Sequence, residues 1–157
     1  MVILMKSKVI VGEEDFDLED LKETIVEEDT SAVMTFSDIV KKEREGVDVQ
    51  HLEVRLYEGM TKNELKRVKE ETLKEFDVNG IIIVQRLGII EAGENVMGIV
   101  VSAPDKKEAI EACVSCLDRF ESYVPLWKKE TTMDGKEHWV EDADELHSLY
   151  NRMVKWI

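Results

Sequence analysis

Residues 79–103 read Asn-Gly-Ile-Ile-Ile-Val-Gln-Arg-Leu-Gly-Ile-Ile-Glu-Ala-Gly-Glu-Asn-Val-Met-Gly-Ile-Val-Val-Ser-Ala. Two apolar runs stand in it, Ile81–Leu87 and Val96–Ala103. Both are β-branched, too short for ordinary helices, and continuous rather than alternating. That pattern predicts core strands. Asn79-Gly80 predicts a turn before the first run, and Gly93 punctuates before the second.

Upstream, Ser7–Val11 predicts a short strand ending at Gly12, and Asp17 is an N-cap for a helix carrying Leu18, Leu21, Ile25 and Val26. Ala32–Val40 predicts a central strand, and Lys41–Asp48 a charged loop around Gly46. Val49–Tyr57 alternates, with Leu52, Val54 and Leu56 on one face, as a half-buried strand does. Thr61-Lys-Asn-Glu64 is a capping-box sequence heading a helix whose inner stripe is Leu65, Val68, Thr72 and Phe76.

Downstream, Pro104-Asp105 opens a helix with Ile110, Cys113, Leu117 and Phe120 on one stripe, ended by Pro125. Asp134-Gly135 predicts a hairpin between Leu126–Thr132 and Glu137–Glu141. Residues 143–157, with Leu146, Leu149, Tyr150, Met153, Val154 and Ile157, predict a C-terminal amphipathic helix. Strands and helices mix without strict alternation. The expectation is one α+β domain over residues 1–157, a mainly antiparallel sheet with packed helices.

The chain has 157 residues, with 21 Lys and Arg against 35 Asp and Glu, a formal net charge of −14. Such an excess repels phosphate backbones and anionic membranes, so neither nucleic acid nor membrane is an expected partner. The opening Met-Val-Ile-Leu-Met-Lys is too short for a secretory signal and reads as a lead-in to the first strand. With two cysteines and no signal, a reduced cytoplasmic protein is expected. Cys113-Val-Ser-Cys116 falls on an apolar helical stripe, and His51, His138 and His147 have no ligand spacing relative to it. Core packing is the expected role of the pair, and no metal site is expected. No phosphate-binding loop, nucleophile elbow or dinucleotide fingerprint occurs.

The cations gather in doublets: Lys41-Lys42, Lys106-Lys107 and Lys128-Lys129. Each is either ordinary surface lysine or part of an anion pocket, where a partly desolvated lysine serves as acid, base or acyl acceptor.

Pro125-Leu126-Trp127-Lys128-Lys129-Glu130, followed by Gly135 and Trp139-Val140-Glu141, resembles the closing motif of the large, catalytic subunit of molybdopterin synthase, the MoaE family. Phe36-Ser-Asp-Ile-Val40, Leu56-Tyr-Glu-Gly-Met-Thr61, Gln85-Arg-Leu-Gly88 and Ser102-Ala103 match further family elements in order, over about residues 7–142. The resemblance implies an α/β hammerhead fold and a homodimer, each subunit taking a ubiquitin-like, MoaD-like partner to make a heterotetramer. That partner's Gly-Gly thiocarboxylate donates sulfur to cyclic pyranopterin monophosphate, forming the molybdopterin dithiolene with no metal or organic cofactor. It implies Lys128 as the catalytic group, with Lys41, Lys129 and Glu130 at the substrate; Lys106 and Lys107 are expected there only as substitutes for a family arginine that this chain lacks.

This chain departs from the family pattern at several positions. Lys41 replaces an arginine, Asp38 a glycine, Pro104-Asp105 a His-Arg pair, and Glu121 a lysine. Two functional expectations follow: a sulfurtransferase in which Lys106 and Lys107 stand in for the missing cations, or a non-catalytic scaffold that dimerises and binds the ubiquitin-like tail without sulfur transfer.

Overall fold

In the computed structural model, which describes residues 6–140, the two apolar runs become β5 (Gly80–Arg86) and β7 (Asn95–Ala103). They pair antiparallel with Ile83 opposite Ile99. β1 (Lys8–Gly12) joins the free edge of β5 in parallel, and β2 (Ala32–Ile39) lies antiparallel on β7, giving the order β1-β5-β7-β2. Every residue of β5 is buried because both faces are covered. α1 (Leu18–Glu23) packs Leu18 and Leu21 toward Ile82, Val84 and Val100 on one side. α2 (Met60–Glu75) and α3 (Lys106–Tyr123) cover Ile81, Ile83, Ile99 and Val101 on the other with Leu65, Val68, Ala109, Cys113 and Phe120. Each fully buried branched side chain contributes roughly 1.5–3 kcal/mol. Gly98 is required in β7, since a Cβ there would lie 2.7 Å from the Phe16 ring.

A second sheet, β3-β4-β8-β9, is built from β3 (Glu43–Arg44), β4 (Val47–Leu56), β8 (Leu126–Thr132) and β9 (Glu137–Trp139). β6 (Gly88–Glu91) pairs with β4 as well. A smaller core of Val40, Val49, Leu52, Val54, Ile90 and Val96 fills one face of this sheet. The register of β4 shifts between Val49 and His51, and this irregularity lets an odd and two even positions share the inner face.

Local signals hold at several places. Asp17 and Asp105 are N-caps, accepting from the Glu19 and Lys107 backbone N–H groups. The Asp134-Gly135 turn joins β8 to β9. Cys113 and Cys116 are buried in the core, and burial pushes the Cys113 thiol up to about 12. Burial also raises Cys116.

Elsewhere the structure differs from expectation. Among the described residues, β2 is an edge strand, with one side of its ladder unpaired and its residues half-buried or exposed. The expected charged loop holds β3, closed onto β4 by Glu45 and Gly46, both at positive φ (51° and 83°). Thr61 makes no cap: α2 starts behind Gly59, and the Thr61 hydroxyl accepts from the Tyr57 N–H and donates to the Pro125 carbonyl. The expected Asn79-Gly80 turn is a bend at Asn79 alone. Asn79 is clasped by Asp29, Thr30 and the Ser102 carbonyl, and Gly80 already pairs in β5. The expected strand lead-in at the N-terminus falls largely on residues 1–5, and the expected helix 143–157 lies wholly beyond residue 140; both are outside the described residues.

Candidate functional site

β2 leaves the first sheet at Ile39 through a register shift between Asp38 and Ile39, next to the small core of the second sheet. Val40 turns into that core, and Lys41 follows it into a groove of about 590 Å³. The β3–β4 hairpin contributes Glu43, Arg44 and Glu45, and β8 contributes Lys128 and Glu130. Leu52 and Val96 form the apolar floor, and Trp139 and Val140 close one wall.

Strand alternation decides which member of each β8 pair faces the groove. Lys128 lies opposite Val54 and Glu130 opposite Leu52, so both share the face of the small core. Trp127 and Lys129 point to the other face. There the Arg55 guanidinium stacks over the Trp127 ring at 4.4 Å, and Lys129 pairs with Glu137 at 3.0 Å. Trp139 meets Trp127 edge to face at 5.0 Å and is itself exposed. Trp156, the third tryptophan, lies outside the described residues.

Glu130 is 5% exposed, and its Oε1 accepts from Arg44 Nη1 at 3.1 Å. A carboxylate buried to this degree needs such a partner. Among the described residues, neither Lys41 nor Lys128 has a carboxylate within 4.0 Å. Both ammonium groups therefore retain donors for an incoming anion.

Of the expected site residues, Lys41, Lys128 and Glu130 meet at this groove. Lys129 sits on the reverse face of the same strand. Lys106 and Lys107 lie at the start of α3, beside the Ala32–Ala103 end of the β2–β7 pair, whereas Lys41 follows the Ile39–Asn95 end. The two ends are roughly 25 Å apart at about 3.3 Å per strand residue. Within one chain the three lysine doublets do not converge. Among the described residues, neither Asp105 nor Glu121 lines the groove, whereas Asp38 does. Arg44, with its neighbours Glu43 and Glu45, is among the groove residues that sequence reasoning missed. Its one local signal is a cation directly before Glu45-Gly46, a turn sequence. No group of His, Cys, Asp and Glu suited to a metal ion occurs among the described residues. None of their helices is long and apolar enough to cross a membrane.

The family model described as MoaE protein matches residues 11–122. A molybdopterin synthase catalytic subunit from Pyrococcus abyssi is 36% identical over 138 residues, covering 87% of this chain and 93% of that one. One from Dictyostelium discoideum is 31% identical over 140 residues, covering 87% and 89%. The crystal structure of molybdopterin synthase from Staphylococcus aureus superposes with a TM-score of 0.74 at 28% identity, covering 87% of this chain and 97% of that one. The fold also recurs, at 21% identity and a TM-score of 0.67, in a complex of subunits 1 and 2 of molybdopterin-converting factor from Helicobacter pylori, covering 87% and 91%. With the family model spanning well over half of the chain, and such relatives matched over nearly their whole length, this chain belongs to the MoaE family.

Proposed function

We propose that this chain is the catalytic subunit of a molybdopterin synthase, moving sulfur from the thiocarboxylate of a ubiquitin-like small subunit to cyclic pyranopterin monophosphate in the cytoplasm. The observation that carries the reading is the meeting of Lys41 and Lys128, from distant parts of the chain, at one groove with an apolar floor. Both reactants are anionic there, the one through its phosphate and the other through its thiocarboxylate. Two fixed ammonium groups hold them together and stabilise charge that develops during transfer. Lys128 is the catalytic group in this reading, because it projects over the small core, where water is partly excluded. Lys41 binds substrate as a point charge, without the bidentate fork of an arginine. Glu130 acts through its ion pair rather than on substrate. Lys129 belongs to the outer aromatic face, and Lys106 and Lys107 serve a groove only if a second copy of the chain brings them to it. A homodimer with two small subunits, a heterotetramer, is the assembly this implies.

A second reading, a scaffold that binds the small subunit without transferring sulfur, is favoured by the charge of the groove itself. Four carboxylates, Asp38, Glu43, Glu45 and Glu130, line it beside the three cations Lys41, Arg44 and Lys128. A single-turnover assay with the thiocarboxylated small subunit and cyclic pyranopterin monophosphate separates the two. Dithiolene product, read as its fluorescent oxidised derivative, supports the enzyme. Tight binding of the small subunit with no product supports the scaffold. Reversing Lys106 and Lys107 to Glu in the same assay tests the dimer contribution, with a weakened substrate affinity expected.

A further inference from the structure

Arg44 and Glu130 lie 86 residues apart in sequence, yet they close one ion pair inside the groove. Arg44 is held by a two-residue strand and the left-handed Glu45-Gly46 turn, so its guanidinium is delivered on a short, fixed arm. Glu130 is buried on the same face of β8 as Lys128, two residues away, where side-chain origins are roughly 7 Å apart. A lysine stem spans that gap easily. We propose that Arg44 is a positioning residue: by holding Glu130, it keeps that buried carboxylate from capturing Lys128 and leaves the Lys128 ammonium to an anionic ligand.

The alternatives open to Glu130 are few. From β2 and the residues after it, Asp38 and Lys41 face the groove; from the hairpin, Glu43 and Glu45; from β9, His138 stands opposite Glu130 in the ladder. The His138 ring is within 3.4 Å of the Thr132 hydroxyl. β4 offers only Leu52 and Val54 at the facing positions. Without Arg44, the nearest cation on the same strand face is Lys128. An uncompensated buried carboxylate is costly enough to draw it in. The role assigned to Arg44 rests on the proposed function only in giving Lys128 a substrate to meet.

The test is competitive acetylation of the full chain with acetic anhydride at one fixed pH. Labelling of Lys128 is measured by peptide mass spectrometry relative to the exposed Lys62 in the same molecule. Arg44→Gln is expected to lower relative labelling of Lys128 about threefold or more, the range of a modest ion pair. Adding Glu130→Gln is expected to restore it, since a neutral amide does not hold the ammonium; a purely structural role for Arg44 would show no such rescue. Unchanged labelling in Arg44→Gln overturns the proposal, as does a loss that persists in the double variant. If Arg44→Gln fails to fold while the double variant folds, Lys128 does not reach Glu130 and the proposal falls. If neither folds, Arg44 serves the fold rather than Lys128. The labelling needs no substrate, so it is decided separately from turnover: a chain that makes no product overturns the proposed function and leaves this result standing.

Discussion

The two sheets of this molecule use similar backbone pairing for opposite ends. In the first, helices cover both faces, and β5 has no exposed residue. In the second, the inner face carries a core of six buried residues among the described ones, and its margin opens into a groove lined with charge. Stability is concentrated where both faces are closed. In the proposed reading, chemistry sits where closure is incomplete, because there the Lys41 and Lys128 ammonium groups line a groove with an apolar floor. The comparison teaches that substitutions in the two sheets should separate: one set moves the melting temperature, the other moves ligand affinity.

The largest expected effect is in the closed sheet. Ile83→Ala removes a fully buried side chain between β5 and the helices, and should cost about 2–5 kcal/mol in a urea titration. Lys41→Ala at the groove should leave that titration unchanged. It should weaken binding of the pterin phosphate by about 1.5–3 kcal/mol, the value of a hydrogen bond to a charged group, measured by calorimetry. Equal destabilisation by both variants would break the contrast between the sheets. A chemical probe sharpens it: with its thiol raised to about 12 by burial, Cys113 should resist iodoacetamide at neutral pH in the folded protein and react once urea unfolds it.

The smallest effect belongs to the β8–β9 turn. Asp134 accepts from the Thr132 hydroxyl and the Lys136 N–H, which hold its carboxyl below its ordinary 3.8. A depressed carboxyl contributes stability above the pKa it has when unfolded, and loses it as pH falls through the folded value. Asp134→Asn should therefore lower the melting temperature slightly at neutral pH and make no difference in strong acid.

Much of this contrast was legible in the residues. The runs that became β5 and β7 announce core strands by their apolar composition, and the alternation of β4 announces a half-buried strand; that helices cover both faces of the first sheet is visible only in the structure. β6 was missed because Gly88–Glu91 has only Ile90 buried, too little apolar pattern to stand out from the segment around it. β3 was missed for the same reason: Glu43 and Arg44 show no periodicity, and their pairing is dictated by the turn that follows. The capping box misled because Thr61 spends its hydroxyl on Tyr57 and Pro125, a tertiary contact invisible locally. At the groove, Lys41 and Lys128 were named from motif resemblance. The turning away of Lys129 needed the β4–β8 register, and Arg44 needed a partner far along the chain. Local signals report caps and periods; sites assembled across sheets are decided by register.

In the proposed reaction Lys128, in the groove between the sheets, carries sulfur transfer. The most direct test of that claim is single-turnover product formation by Lys128→Ala, beside its melting curve and its affinity for the small subunit. The expected result is a rate reduced at least about a hundredfold, as when a preorganised charge-stabilising donor is removed, with melting and partner binding unchanged. Near-normal turnover by Lys128→Ala would contradict the claim.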